Sequence, residues 1–192
     1  MRLHKIIAML LTYPEQDWLQ SFGELRATVS AETGRSRRAG RRLDRLLTYL
    51  ECGRLIDLQE VYVETFDRNP AHSLYIFEHT MGESRDRGEA MARLIDEYRR
   101  SGLEVTNREL PDFLPLFLEF LSLIPTEEAQ ERLTRIAEVV QILRDRLADA
   151  GSPYVDAFEA LLALTPGSTL AAALSAIRKR ERKPTAVRIG TQ

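Results

Sequence analysis

A single cysteine, Cys52, is the only thiol in 192 residues. One thiol excludes a disulfide framework or a thiolate zinc site within one chain, and a reducing cytoplasm is the expected compartment. Basic and acidic residues nearly cancel, 27 against 29, so the whole molecule is not built electrostatically for nucleic acid or an acidic membrane. No apolar run approaches the ~20 residues of a membrane span. Arg2, His4 and Lys5 precede the apolar Ile6–Leu11, but that run is short for a leader, and Glu15 and Asp17 follow with no small-residue cleavage site. A soluble cytoplasmic protein without stable membrane association is expected. Catalytic signatures are missing too: there is no phosphate loop, dinucleotide fingerprint or HExxH. His72 and His79, seven apart and beside Glu78, could in principle hold a metal, but no third histidine is near. No metal, no cofactor and a hydrogen-bonding role for His79 are expected. Cys52, before Gly53, reads as packing or surface and not as a nucleophile.

Sparse glycine (10) and proline (8) with abundant leucine favour helices, and the length suits one domain with a sizeable core. A first helix is expected over residues 3–12, stopped by Tyr13-Pro14. Trp18, Leu19, Phe22, Leu25 and Val29 recur at three and four and mark a second. Gly34 and Gly40 accompany a basic patch, Arg35, Arg37, Arg38, Arg41, Arg42 and Arg45, while Ala39, Leu43, Leu46 and Leu50 form an apolar stripe. The arginines are therefore expected on the solvent face of a third helix. A fourth, Arg54 to Phe66, turns Leu55, Leu58, Val61, Tyr62 and Phe66 inward. Arg68-Asn69-Pro70 is a turn. A later helix runs from Arg85 to about Ser101, with Gly102 as C-cap.

Pro111 is expected in the first turn of the next helix, to about Ile124, which is apolar almost all round and hence central. Glu119, on its narrow polar strip, is expected to be partly buried and to pair with Arg87 or Arg85. Thr126 is expected to cap one long helix to about Asp149, with Leu133, Ile136, Val140, Leu143 and Leu147 inward. Gly151-Ser152-Pro153 ends it and starts a short helix, and Pro166-Gly167-Ser168 starts a last one through Leu170, Leu174 and Ile177. Arg178 to Lys183 is almost wholly cationic. The reading is all-α: a single helical domain over residues 1–180 with eight to ten helices, then a mobile basic tail over 181–192.

The stretch from Ser73 to Met91 breaks local rules. Gly82 interrupts it and Ser84 opens a helix whose apolar face is Ala90, Met91, Leu94, Ile95 and Tyr98, with Arg87 in the middle of that face. Arg85 and Arg87 lie at the positive end of the helix dipole, unfavourable by about 0.3–1 kcal/mol. Gly88 costs about 1 kcal/mol relative to alanine. Such choices point to tertiary structure or function overriding propensity. A half-buried arginine needs a carboxylate, with Glu78, Glu83 and Asp86 nearest in sequence, and Gly88 suggests close approach of another backbone.

The fourth helix carries Asp57, Glu60, Glu64 and Asp67 on its outer face with no lysine or arginine among them. This is either an ordinary solvated face or, with the adjoining turn Tyr75–His79, a surface for a basic amphipathic peptide helix.

One resemblance covers about a third of the chain. YVETFDRNPAHSLYIFEHTMGESRDRGEAMARLIDEYRRSGL (Tyr62–Leu103), followed by ELPDFLPLFLEFL (Glu109–Leu121), resembles the nitrate reductase molybdenum-cofactor assembly chaperones. These are the NarJ-type members of the TorD/DmsD group of redox-enzyme maturation chaperones. The resemblance implies their all-α fold and a non-enzymatic role. The implied partner is the N-terminal segment of a molybdoenzyme catalytic subunit, held ready for cofactor insertion before membrane docking, with cofactor-loading proteins as further partners. Matching positions are Tyr62, Glu64, Phe66, Asp67, Ser73, Tyr75, Glu78 and His79, then Gly82, Ser84, Arg85, Arg87 and Gly88, then Glu109, Pro111 and Asp112. With the acidic face, the implied peptide site is Asp57, Glu60, Tyr62, Glu64, Phe66, Asp67, Tyr75, Glu78 and His79. Phe113 stands where the family commonly has histidine. The competing class is a helical nucleic-acid-binding regulator using Arg35–Arg45 and the Arg178–Lys183 run.

Overall fold

The structure, a computed structural model, describes residues 2–32, 36–82, 84–105 and 109–165. Nine α-helices account for most of them: α1 Arg2–Leu10, α2 Trp18–Glu32, α3 Arg37–Cys52, α4 Leu55–Tyr62, α5 Asp86–Arg100, α6 Leu114–Leu123, α7 Thr126–Arg135, α8 Ala137–Asp149 and α9 Val155–Leu164. Among the described residues there is no strand, only an isolated antiparallel bridge between Tyr75 and Phe113. The expected last helix and the basic run Arg178–Lys183 lie outside the described residues.

The apolar patterning decides the packing. Leu114, Phe117, Leu118, Phe120 and Leu121 of α6 are buried, and α6 packs along α1 through Leu3, Ile6, Ile7 and Leu10. The stripe Ala39, Leu43, Leu46 and Leu50 of α3 is buried where α3 packs on α9, itself buried through Ala157, Phe158, Ala160 and Leu161. Each such leucine contributes about 1.5–3 kcal/mol of transfer free energy. Ser36 caps α3 by accepting from the Ala39 N–H at 3.3 Å, a contact worth about 1 kcal/mol. Gly102, at φ 81°, ends α5 as expected. Its N–H donates to the Arg99 carbonyl, and the Leu103 N–H donates to that of Tyr98 at 2.9 Å.

Several boundaries differ from expectation. The helix expected over 126–149 is two, broken at Ile136, whose φ of −99° and ψ of 4° leave helical space. Thr126 is the first residue of α7, and Pro125 holds the cap position. The helix expected from Pro111 starts at Leu114, and Pro115 takes the first-turn place. The expected fourth helix passes after Tyr62 into a π-helical turn, Val63–Asp67, closed by the Arg68 N–H on the Val63 carbonyl at 3.0 Å. The wider turn changes the angular register of Phe66 and Asp67 relative to α4. Glu119 is half-buried, but its partner is Lys5 at 3.6 Å, not Arg87 or Arg85.

Gly88 also departs from expectation: a Cβ there would meet nothing within 4 Å. No backbone approaches it, so its cost is uncompensated. Gly88→Ala is expected to stabilise the protein by about 0.5–1 kcal/mol, read as a shifted midpoint in urea unfolding.

His4 of α1 is fully buried, and burial pushes its pKa down to about 4. A histidine lowered in the fold stays neutral while the unfolded chain takes up a proton below about pH 6.5. Its contribution is therefore present above that pH and is lost as pH falls toward 4. His4→Leu is expected to flatten the fall in stability across that interval in denaturant titrations.

Candidate functional site

The segment after the π-helical turn is held by polar contacts. Asn69 accepts from the Ala71 N–H at 3.1 Å, and Pro70–His72 forms a short 3-10 turn. His72 is buried and bonds the Thr65 carbonyl through Nδ1 at 3.1 Å. His79 donates from Nε2 to the Ser73 carbonyl at 2.7 Å, and its Nδ1 faces Arg146 Nη1 at 3.4 Å. Arg146 also donates to the Ala71 carbonyl at 2.7 Å, tying the segment to α8. Among the described residues no group of His, Cys, Asp or Glu is arranged to hold a metal ion.

Asp112 joins three pieces of chain. Its carbonyl accepts from the Ile76 N–H at 2.9 Å, and the Leu114 N–H donates to the Leu74 carbonyl at 2.8 Å, which makes the Tyr75–Phe113 bridge. Its carboxylate, fully buried, accepts from the Phe77 N–H at 3.1 Å and lies 3.6 Å from Arg87 Nη2. Arg87 is half-buried and also lies 3.8 Å from Glu78. The cation on the apolar face of α5 thus serves a buried carboxylate 25 positions downstream as well as Glu78, the neighbour expected from sequence. Burial pushes the Asp112 carboxyl above its ordinary range, against the opposing pull of the Phe77 N–H and of Arg87.

The other motif residues support this frame. Ser84 Oγ accepts from the Asp86 N–H at 3.3 Å; Arg85 is exposed at the start of α5. Gly82 takes a φ of 54°, where a side chain would be strained. Buried Tyr98 donates to the Pro111 carbonyl at 2.7 Å. Glu83 lies outside the described residues. Phe113 packs against Tyr75 with the rings tilted by 41° and their centroids 5.4 Å apart.

Beside this frame lies a cavity of about 820 Å³. Its aromatic wall is Tyr13, Tyr62, Phe66, Tyr75 and Phe113; its carboxylates are Glu15, Asp67, Glu78 and Glu109; no basic side chain lines it. Tyr62 is fixed by donating to the Leu11 carbonyl at 3.1 Å, and Tyr75 by donating to Glu109 at 2.7 Å. Burial, then the charge of Glu109, pushes the Asp67 carboxyl up. An apolar groove of about 650 Å³ adjoins it, sharing Thr12, Glu109 and Phe113, and is walled by Ile6, Met9, Leu25, Pro115 and Leu116.

Of the residues singled out for peptide binding, Tyr62, Phe66, Asp67, Tyr75 and Glu78 line the cavity. Asp57, Glu60, Glu64 and His79 do not. The acidic stripe is not free of cations either: Arg54 pairs with Asp57 at 2.6 Å and Arg68 pairs with Glu64. Sequence patterning missed Tyr13, Glu15 and Phe113, which reach the cavity from a loop and from the Tyr75 bridge. The basic patch of α3 is partly spent on α9. Arg42 and Arg45 pair with buried Asp156 at 2.9 and 3.5 Å, and Arg38 pairs with Glu159 at 3.1 Å. That removes much of the surface a nucleic-acid reading requires. Arg35 lies outside the described residues.

A family model described as nitrate reductase delta subunit matches residues 35–160, from α3 into the middle of α9 and including the whole Asp112 frame. The chain belongs to the nitrate reductase delta subunit family. It is 38% identical over 170 residues to the probable nitrate reductase molybdenum cofactor assembly chaperone NarW of Escherichia coli K12, covering 88% of this chain and 70% of that one. It is 40% identical over 159 residues to the chaperone NarJ of the same strain, covering 83% and 67%. A probable NarJ of Bacillus subtilis strain 168 is 31% identical over 160 residues, covering 82% and 84%. The delta subunit family match extends well beyond the Tyr62–Leu121 motifs that suggested it. No helix among the described residues is long and apolar enough to cross a membrane.

Proposed function

We propose that this protein is an assembly chaperone for nitrate reductase. It binds the N-terminal segment of the catalytic subunit in the cytoplasm and keeps that subunit competent for molybdenum-cofactor insertion before it docks at the membrane. Family membership and the names of the relatives support the client class. The observation that carries the binding mode is the pairing of an aromatic, purely acidic cavity with an adjoining apolar groove. A client helix with one apolar face and flanking cations would bury the first in the groove and set the second against Asp67, Glu78 and Glu109. The protein performs no chemistry on the client; it occupies a segment that would otherwise engage elsewhere.

Producing the catalytic subunit with and without this protein, and measuring molybdenum per subunit by mass spectrometry, tests the reading. Several-fold higher molybdenum occupancy with the chaperone is expected. Equal occupancy would contradict the assembly role.

A further inference from the structure

We propose that Arg146, on α8 and outside the acidic cavity, is a positioning residue that fixes Phe66 and Asp67 in the wall facing the client. The inference rests on reading that cavity as the client's seat. Arg146 is exposed, and among the described residues it makes no ion pair. Its Nη1 donates to the Ala71 carbonyl at 2.7 Å and lies 3.4 Å from His79 Nδ1. The other nitrogen of His79 donates to the Ser73 carbonyl at 2.7 Å, which leaves Nδ1 of the neutral ring as an acceptor. One guanidinium nitrogen therefore holds residues 71–73 directly and through His79. Pro70, Ser73, Leu74 and Tyr75 of the same stretch line the cavity. Arg146 grips that wall from outside.

The stretch also reaches back to the π-helical turn Val63–Asp67. A turn closed at five residues asks residue 70 to donate to the Thr65 carbonyl. Residue 70 is proline and has no N–H. His72 Nδ1, at 3.1 Å, takes its place. A carbonyl only accepts, so Nδ1 carries the proton. His72 is buried, which excludes water as a substitute donor. Closure at five residues instead of four sets Asp67 about a quarter turn from where a continued α4 would place it. Phe66 and Asp67 both line the cavity in this register. The line of support runs from Arg146 to Ala71, to His72, to Thr65 and so to Asp67. Glu109 is held differently, by the Tyr75 hydroxyl at 2.7 Å, and Tyr75 is fixed by its bridge to Phe113.

A double-variant cycle on binding of the N-terminal peptide of a nitrate reductase catalytic subunit tests this by calorimetry. Asp67→Asn is expected to weaken binding about fivefold in the wild-type background and less than twofold in Arg146→Ala, where Asp67 has already lost its place. Glu109→Gln should cost the same factor in both backgrounds. Arg146→Lys keeps a donor for the Ala71 carbonyl and should restore part of the affinity and part of the coupling. A residue that only stabilises the fold would not couple to one carboxylate and spare the other. Equal effects of Asp67→Asn with and without Arg146 overturn the positioning role and leave the cavity as the client's seat. Indifference of binding to both Asp67→Asn and Glu109→Gln overturns the seat, and the positioning role with it. A second readout needs no client: the imidazole ¹⁵N shifts of His72 should show a protonated Nδ1. A His72 protonated only at Nε2 breaks the line of support and overturns the proposal.

Discussion

Replacing Arg87 with alanine is expected to cost about 3 kcal/mol, the lower end for breaking a buried ion pair. The Asp112 side chain is 0% exposed and that of Arg87 22%. Removing the guanidinium leaves a carboxylate in the interior without its cation, its charge held only by backbone N–H groups such as that of Phe77. For a chain of this size the melting temperature should fall by about 6–12 °C. Asp112→Asn keeps an acceptor for the Phe77 N–H and removes the buried charge, so it should cost less. The double variant should cost less than the sum of the two.

The pH dependence follows from the sign of the Asp112 shift. Its carboxyl is raised in the fold, so its contribution is fully present below the ordinary carboxylate range and is lost as pH rises through the folded value. Arg87 opposes that rise, and without it the carboxyl moves higher still. The deficit of Arg87→Ala should therefore shrink as the pH is lowered from neutral to acid, where protonation removes the stranded charge. A variant that melts with wild type at both pH values would contradict the buried pair.

Converting both Asp67 and Glu109 to lysine is expected to weaken client-peptide binding about 100-fold, or about 2.7 kcal/mol. Both side chains are exposed at the cavity, so thermal stability should stay near wild type. Burial and the neighbouring Glu109 push Asp67 up because two carboxylates share one wall with no cation. A seated client cation relieves that repulsion, and affinity should fall as pH drops into the carboxylate range. Glu60 and Glu64 do not line the cavity. Reversing their charge should act only through long-range attraction, about two- to fivefold, and should vanish in high salt. Equal losses for the two pairs would move the binding surface onto the outer face of α4.

Periodic features of the fold were legible in the sequence because they are local. The Ala39–Leu50 stripe, the all-round apolar α6 and the Gly102 stop each follow from three- and four-residue spacing or one backbone preference. The missed features are set at a distance. Nothing near Glu119 in sequence announces Lys5. Asp112 reads as a polar position on a helix until the pairing of residues 74–76 with 112–114 draws it into the interior. The Ile136 break interrupts a pattern whose apolar spacing continues through it. The candidate site divides likewise. Tyr62, Phe66, Asp67, Tyr75 and Glu78 stood out as one motif-rich run, whereas Tyr13, Glu15 and Phe113 reach the cavity only through tertiary contacts.

The measurement that bears most directly on client binding is calorimetric titration of the protein with the N-terminal peptide of a nitrate reductase catalytic subunit. It would be run at low and raised salt, for wild type and for the Asp67→Lys, Glu109→Lys variant. One-to-one binding that weakens with salt and is lost in the variant is predicted. Absence of binding to the peptide and to the whole apo-subunit, or binding indifferent to both salt and the variant, would contradict the account.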